Sequence, residues 1–257
     1  MEKLICGDAA EELKKLESGS VDLTVTSPPY DNLRKYNGFT FNFKAIAQEL
    51  YRVTKQGGVV VWVVNDATIE GSETGTSFMQ ALYFKSIGFN LHDTMIYKKI
   101  NPIPLTHNRY EQYFEYMFVF SRGRPKTFNP ILEQCLTSGA YKHRRNSGRV
   151  AEAATRNRDE ITLTKSKKYK SNIWEYTCGS AAGETRNHPA PFPLKLAKEH
   201  VLSWSNEKDL VLDPMMGSGT VGVACKDLNR NFIGIEISKE YFESVERRIS
   251  NTQESLF

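Results

Sequence analysis

The chain has 257 residues, of which 40% are hydrophobic and 25% are charged. This length can bury the core of one α/β domain with an inserted segment, and the composition is that of an ordinary water-soluble protein. No apolar run approaches the roughly 20 residues that a membrane helix needs. The start, Met1 to Leu4, lacks the charged and then apolar pattern of a signal peptide. We therefore expect a cytoplasmic protein.

The four cysteines are Cys6, Cys135, Cys178 and Cys225, too scattered for a zinc ligand pattern or a disulfide framework. Cys6 and Cys225 lie in apolar segments and are predicted to be small core residues. The five histidines form no i, i+4 pair with an acidic partner, so no metal site is predicted.

Predicted strands and helices alternate along the chain. The first part predicts strands at 4–6, 21–26 and 59–64, helices at 9–16, 43–53 and 77–87, and then strands at 91–98 and 113–120. After a stretch without clear periodicity, to about 176, the pattern predicts helices at 193–204, 219–228 and 239–249 and strands at 210–212 and 232–235. Alternation of this kind predicts an α/β fold with a mostly parallel sheet that is covered on both faces.

Positive charge is concentrated in the middle of the chain. Between Ser121 and Ser171 there are thirteen basic and four acidic residues, a net charge of +9, and since the whole chain carries +4 the remainder carries −5. A basic region on an acidic body is expected of a protein that binds a phosphate backbone. On charge alone, a solvated loop remains an alternative.

A glycine-rich turn follows a predicted strand near the end of the chain. Gly217 to Gly222 match the pattern G-x-G-x-x-G, and Glu236, which ends the next strand, can hold the ribose hydroxyls of an adenosine. Alone, the pattern also fits NAD. However, Asp213 just before the turn would disfavour a pyrophosphate, whereas S-adenosylmethionine carries a sulfonium and an ammonium and no phosphate. A P-loop is excluded because no Gly-Lys-Ser/Thr follows, so S-adenosylmethionine is favoured.

A second segment, Thr26-Ser27-Pro28-Pro29-Tyr30, follows an earlier predicted strand. An exocyclic base amine is a poor nucleophile because its lone pair is delocalised into the ring. Ser27 Oγ and the Pro28 carbonyl can accept the two amine hydrogens and aim the lone pair at a methyl group, and the prolines fix the direction of that carbonyl. Tyr30 can stack on a base swung out of the duplex. Alone, the segment is also compatible with a simple proline turn.

Together these motifs resemble the amino-methylating DNA methyltransferases of the N4-cytosine/N6-adenine type, in the beta-type order in which the catalytic motif precedes the cofactor motif. The resemblance covers nearly the whole chain and rests on Gly7-Asp8, 26–30, 49–53 with Gly57-Gly58, 188–193, 213–220, 234–236 and the last helix with Tyr241 and Arg247-Arg248. It implies a Rossmann-like S-adenosylmethionine-dependent methyltransferase fold with a mostly parallel seven-stranded sheet and an inserted target-recognition region. The implied domains are a catalytic half at 1–120, a basic recognition region at 121–186 and a cofactor-binding half at 187–257.

The same resemblance implies roles for individual residues. The catalytic residues would be Ser27, Pro28, Pro29 and Tyr30. The cofactor would be bound by Asp8, His188, Pro189, Phe192, Pro193, Asp213, Pro214, Met215, Gly217, Ser218, Gly219, Thr220 and Glu236. Duplex DNA would be bound by Tyr97 and Lys98, in a segment similar to the family's Trp-x-Lys-x-Asn, and by Arg144, Arg145, Lys167 and Lys168. A homodimer and a cognate restriction endonuclease are further expectations from the family only.

Several activities compete with this interpretation. Cytosine-C5 methylation needs a Pro-Cys pair, and no cysteine of this chain follows a proline. Ser at the position of Ser27 is typical of N4-cytosine enzymes, whereas Asp is commoner among N6-adenine enzymes, so we predict N4-cytosine methylation by base flipping and direct displacement, with N6-adenine as the alternative. RNA methylation, a non-catalytic DNA-binding module and a nicotinamide oxidoreductase are less favoured.

Overall fold

The computed structural model describes residues 1–29, 41–101, 108–135, 139–143, 160–164, 166–177 and 193–252. The chain divides into two compact units, one formed by Met1–Asn129 with Asn172–Phe257 and the other by Pro130–Ser171. No helix in the described part of the chain combines the length and the apolar character that crossing a membrane requires.

Fourteen strands and six α-helices lie within the described residues. The strands are β1 (Glu2–Cys6), β2 (Val21–Thr26), β3 (Thr54–Val64), β4 (Thr68–Ile69), β5 (Ser72–Glu73), β6 (Asn90–Lys99), β7 (Phe114–Ser121), β8 (Leu132–Gln134), β9 (Gly139–His143), β10 (Glu160–Thr164), β11 (Lys167–Tyr169), β12 (Ile173–Tyr176), β13 (Leu210–Asp213) and β14 (Asn231–Glu236). The helices are α1 (Ala9–Glu12), α2 (Phe43–Val53), α3 (Thr76–Ser86), α4 (Leu194–Trp204), α5 (Thr220–Asp227) and α6 (Lys239–Ser250). The helix predicted at 9–16 ends early, since Leu13–Lys15 form a 3-10 turn after α1.

The first unit is built on an eight-stranded sheet with the order β1-β14-β13-β2-β3-β7-β6-β12. Neighbouring strands from β1 to β3 are parallel, β7 is antiparallel to both β3 and β6, and β12 is parallel to β6. The predicted number of seven strands is therefore wrong by one. The eighth strand, β12, pairs Ile173 with Ile96 and Tyr176 with Lys99, and it lies in the stretch for which no element was predicted because it has only four residues.

The core of the first unit lies on the faces of this sheet. Val59 to Val64 in β3 are all buried, as expected of a strand covered on both sides. Helix α2 packs an apolar stripe made by Ile46, Ala47, Leu50 and Val53 against the sheet. Its start is capped by Asn42, whose side chain accepts a hydrogen bond from the Ala45 amide.

Two local predictions need correction. The strand predicted at 59–64 begins earlier, at Thr54, so Gly57 and Gly58 lie inside β3, and Gly57 has a φ of +85°, which a residue with a side chain rarely adopts. Cys6 is exposed because it is the last residue of β1, at the edge of the sheet, whereas Cys225 in α5 is buried as predicted.

The second unit contains two short antiparallel ladders. Strand β8 pairs with β11, and β9 pairs with β10. This unit, 130–171, falls within the segment 121–186, for which a basic recognition region is expected. Strand β12, which also falls within that segment, belongs to the sheet of the first unit.

Candidate active site

Polar residues end several neighbouring strands of the large sheet at one edge. Strands β1, β14, β13, β2 and β3 are mutually parallel, so their carboxyl ends point the same way. Asp8 lies two residues beyond β1, Glu236 ends β14, Asp213 ends β13 and Ser27 directly follows β2. Open α/β sheets place their ligand sites at this edge. The structure thus brings together the two segments that the sequence singled out.

The glycine turn between β13 and α5 has a conformation that only glycine adopts easily. Gly217 has a φ of +47° and Gly219 a φ of +75°. A Cβ added at Gly219 would lie 2.5 Å from Val245 Cγ1, because helix α6 packs directly on the turn. The turn is closed by hydrogen bonds from the Gly219 amide to the Met216 carbonyl, at 2.7 Å, and from the Met216 amide to the Ile235 carbonyl, at 2.9 Å.

Glu236 is fixed beside this turn by two backbone amides. Its Oε2 accepts a hydrogen bond from Gly217 N and its Oε1 accepts one from Ser238 N, both at 2.9 Å. The residue is only 7% exposed, and burial raises the pKa of its carboxyl although these amide hydrogen bonds oppose the shift. A carboxylate has about four acceptor positions, more than these amides occupy, as binding of ribose hydroxyls requires.

Asp213 is the more deeply buried of the two carboxylates, at 4% exposure. Its Oδ1 accepts hydrogen bonds from Thr26 Oγ1 at 2.8 Å and from the Met215 amide at 3.2 Å. Burial raises the pKa of Asp213 to about 7, these two hydrogen bonds oppose the shift, and the charge of Glu236 adds to it. A cationic ligand beside Asp213 would favour the ionised carboxylate.

The remaining cofactor residues of the described chain take different positions. Asp8 caps helix α1 through hydrogen bonds from Ala10 N at 2.8 Å and Glu11 N at 3.3 Å. Pro193 occupies the position before α4, so this helix starts at Leu194, one residue later than predicted. Pro214 is buried and Met215 is half-buried against the core.

Sequence patterns assign no role to two residues that hold the site together. Arg248 in α6 donates from Nη1 to the Ser218 carbonyl at 2.7 Å and to Thr220 Oγ1 at 3.1 Å. Thr26 joins β2 to Asp213. Both residues lie within the motifs that the sequence singled out, which was a signal of their importance. Their contacts, however, join residues that are 28 to 187 positions apart in the chain, and the spacing of residues within a motif does not predict such contacts.

The catalytic segment begins where β2 ends. Thr26 is 1% exposed, Pro28 is buried, and Ser27 and Pro29 are half-buried. Six predicted site residues lie outside the described part of the chain: Tyr30, Arg144, Arg145, His188, Pro189 and Phe192.

The predicted DNA-binding residues are not equivalent. Tyr97 is only 3% exposed and packs against Tyr176, with ring centroids 5.9 Å apart, so its ring is not accessible for stacking on a base. Lys98 forms a 2.7 Å ion pair with Glu175, and both side chains are about half exposed. Lys167 and Lys168 are exposed on β11 of the second unit.

Among the described residues, no cluster of three His, Cys, Asp or Glu could hold a metal ion.

Comparison with a solved structure supports the cofactor that this site suits. The structure of M1.HpyAVI in complex with S-adenosylmethionine superposes with a TM-score of 0.62 and 25% sequence identity, covering 96% of this chain and 100% of the other. The donor set fits that cofactor, since two buried carboxylates and a glycine turn suit a cationic, phosphate-free adenosine. Fold and site therefore define a Rossmann-like S-adenosylmethionine-dependent methyltransferase.

Sequence comparison then gives the family. The family described as DNA methylase, of N6 and N4 methyltransferases, matches residues 21–247. The chain is 52% identical over 237 residues to the orphan methyltransferase M.BamHII of Bacillus amyloliquefaciens, covering 90% of this chain and 89% of the relative. It is 29% identical to the type II methyltransferase M.HpaI of Haemophilus parainfluenzae, covering 97% and 74% respectively. The chain belongs to the DNA methylase family and is a DNA methyltransferase acting on cytosine N4 or adenine N6.

Proposed function

We propose that the chain methylates the exocyclic N4 of cytosine in duplex DNA. The observation that carries this proposal is Ser27, a neutral hydroxyl at the first catalytic position after β2, where the resemblance associates Ser with cytosine and Asp with adenine. The hydrogen bond between Thr26 and Asp213 supports the placement of this segment beside the cofactor carboxylate.

S-adenosylmethionine supplies the methyl group. Ser27 Oγ and the Pro28 carbonyl accept the two hydrogens of the base amine, which concentrates the nitrogen lone pair and directs it at the methyl carbon. The half-buried position of Ser27 and the buried ring of Pro28 limit the movement of both acceptors. A cofactor bound at this site would supply the methyl carbon and leave as a neutral thioether, and the methylated amine would release one proton to water.

Mass spectrometry of nucleosides tests the target base. Unmethylated DNA of mixed sequence is incubated with the enzyme and S-adenosylmethionine, digested and analysed. N4-methylcytosine is expected, whereas N6-methyladenine as the sole product would overturn the base assignment while leaving the family intact. The Ser27→Ala variant should form at least tenfold less product. Its matched control is Ser20→Ala, at the opposite end of β2, where the hydroxyl donates only to the Glu17 carbonyl.

We also propose that the basic second unit contacts the DNA backbone. Lys167 and Lys168 lie side by side in β11 with both side chains exposed, and the region from 121 to 171 carries a net charge of +9. Arg144 and Arg145 lie in the same basic region of the sequence, and we propose the same role for them.

Salt dependence of DNA binding tests this contact. Replacing Lys167 and Lys168 with Gln should reduce the slope of log affinity against log salt by roughly 2, because each phosphate contact contributes about 0.9. The control replaces Lys14 and Lys15, an adjacent exposed pair in the first unit, with Gln. It removes the same charge and should leave the slope unchanged. If both double variants have the same slope, Lys167 and Lys168 do not contact the DNA backbone.

A further inference from the structure

Thr26 makes a hydrogen bond that connects the two halves of the site. It ends β2, Asp213 ends β13, and these strands are paired neighbours in the sheet. The bond from Thr26 Oγ1 to Asp213 Oδ1 measures 2.8 Å, and both residues are buried. Thr26 directly precedes the catalytic Ser27, and Asp213 lies just before the glycine turn. One side-chain hydrogen bond therefore fixes the spacing between the segment that receives the base and the segment that holds the cofactor.

We propose that Thr26 is a positioning residue, whose hydroxyl holds the Asp213 carboxylate in the orientation that receives the cationic end of S-adenosylmethionine. The inference rests on the proposed placement of the cofactor at Asp213. It gives a function to the residue directly before the catalytic serine, to which the sequence patterns assign no role. It also predicts that loss of the Thr26 hydroxyl weakens cofactor binding directly and lowers turnover only as a consequence of the weaker binding.

The electrostatics of Asp213 give this role a measurable signature. Burial favours the protonated carboxyl, and Thr26 and the Met215 amide are the groups that oppose it. Two other titratable groups interact with Asp213: Glu236 at the end of β14, whose charge raises the pKa of Asp213, and the buried Cys225 thiol of α5, whose own pKa the charge of Asp213 raises. Loss of the Thr26 hydroxyl should therefore raise the pKa of Asp213 further. A protonated Asp213 attracts a cation less, so the affinity lost at neutral pH should be recovered as the pH rises.

The same strand provides a matched control. Thr24 lies two residues before Thr26, is fully buried, and its Oγ1 has no hydrogen-bond partner among the described residues. Since side chains two residues apart in a strand point to the same face, Thr24→Val makes the same chemical change in the same layer without touching Asp213. A general effect of removing a buried hydroxyl would appear in both variants, whereas the proposed effect would appear in only one.

The test is isothermal titration of S-adenosylmethionine into the wild type, Thr26→Val, Thr26→Ser and Thr24→Val between pH 6 and pH 9. Thr26→Val should bind at least tenfold more weakly at pH 7, with the midpoint of its pH profile moved upwards. Thr26→Ser keeps the hydroxyl and should restore both the affinity and the midpoint. Thr24→Val should match the wild type. Wild-type affinity and midpoint in Thr26→Val would overturn the inference.

One further variant separates this inference from the proposed cofactor placement. Asp213→Asn should weaken binding and remove the part of the pH dependence that comes from this carboxyl, because the amide does not titrate. If Asp213→Asn binds like the wild type, the cofactor placement itself is wrong. If it binds weakly while Thr26→Val binds normally, only the role of Thr26 fails. Should Thr26→Val not fold, Thr26→Ala, which adds no atoms, replaces it with the same expected outcomes.

Discussion

The carboxyl edge of the sheet and the aromatic cluster around Phe84 are both buried in the first unit, but different forces hold them. At the edge, Asp213 and Glu236 are fixed by individual hydrogen bonds to hydroxyl and amide groups. In the cluster, the Phe84 ring packs on Trp62 at 5.1 Å and on Phe120 at 4.6 Å between centroids. The edge keeps buried charge-bearing groups that cost stability, whereas the cluster contributes stability and no chemistry. Substitutions in the two regions should therefore separate folding from function.

The largest effect on stability is expected in the cluster. Phe84→Ala removes a fully buried ring and should lower the free energy of unfolding by about 3 to 5 kcal/mol. Urea unfolding monitored by circular dichroism measures this change. The affinity of the folded fraction for S-adenosylmethionine should stay within about twofold, since Phe84, Trp62 and Phe120 lie in α3, β3 and β7, whereas the glycine turn joins β13 to α5. A large loss of affinity in the folded protein would show that the two regions are coupled.

The glycine turn is where stability and function coincide. Gly219→Ala adds a methyl group 2.5 Å from Val245 Cγ1 at a positive φ, so it should cost about 2 to 4 kcal/mol and weaken cofactor binding. Gly19→Ala is the matched control, because Gly19 has a φ of +64° but no atom within 4 Å of the added Cβ. It should cost only the backbone strain, about 1 kcal/mol. Similar losses in both variants would mean that the contact with α6 is unimportant.

How far the sequence could predict this edge depends on the range of the interactions. Asp213, Glu236 and the glycine turn follow apolar runs, so their place at strand ends was readable from local pattern. The protonation of Asp213 was not, because it depends on burial and on Thr26, which lies 187 residues away. Strand β12 was missed for a related reason. Its four residues become a strand only through pairing with β6.

Asp213→Asn should have opposite effects on binding and on stability. In the wild type the pKa of Asp213 rises from its ordinary 3.8 to about 7 on folding, so the folded protein binds the extra proton and loses stability as the pH rises through this window. The amide does not titrate. The stability of the variant relative to that of the wild type should therefore increase by roughly 2.5 kcal/mol from pH 5 to pH 8, while its cofactor affinity falls.

Thermal unfolding of both proteins at several pH values measures this difference, and subtracting the wild-type curve removes the titration of all other groups. Glu236→Gln provides a comparison, because the pKa of Glu236 is also raised by burial. A difference between Asp213→Asn and wild type that does not change with pH would mean that Asp213 stays ionised in the folded protein.

The smallest effect is expected at the Lys98–Glu175 ion pair, which lies on neighbouring strands β6 and β12 away from both regions. Both side chains are about half exposed, so Glu175→Gln should change stability by less than about 1 kcal/mol. It should, however, release Lys98 for a phosphate, and DNA affinity at low salt should rise about two- to threefold if Lys98 contacts the backbone. Glu11→Gln breaks the comparably exposed pair with Lys14 and should leave DNA affinity unchanged. If Glu175→Gln and Glu11→Gln bind DNA with equal affinity, Lys98 does not contact the DNA backbone and serves only in the ion pair. The second unit then remains the proposed backbone contact.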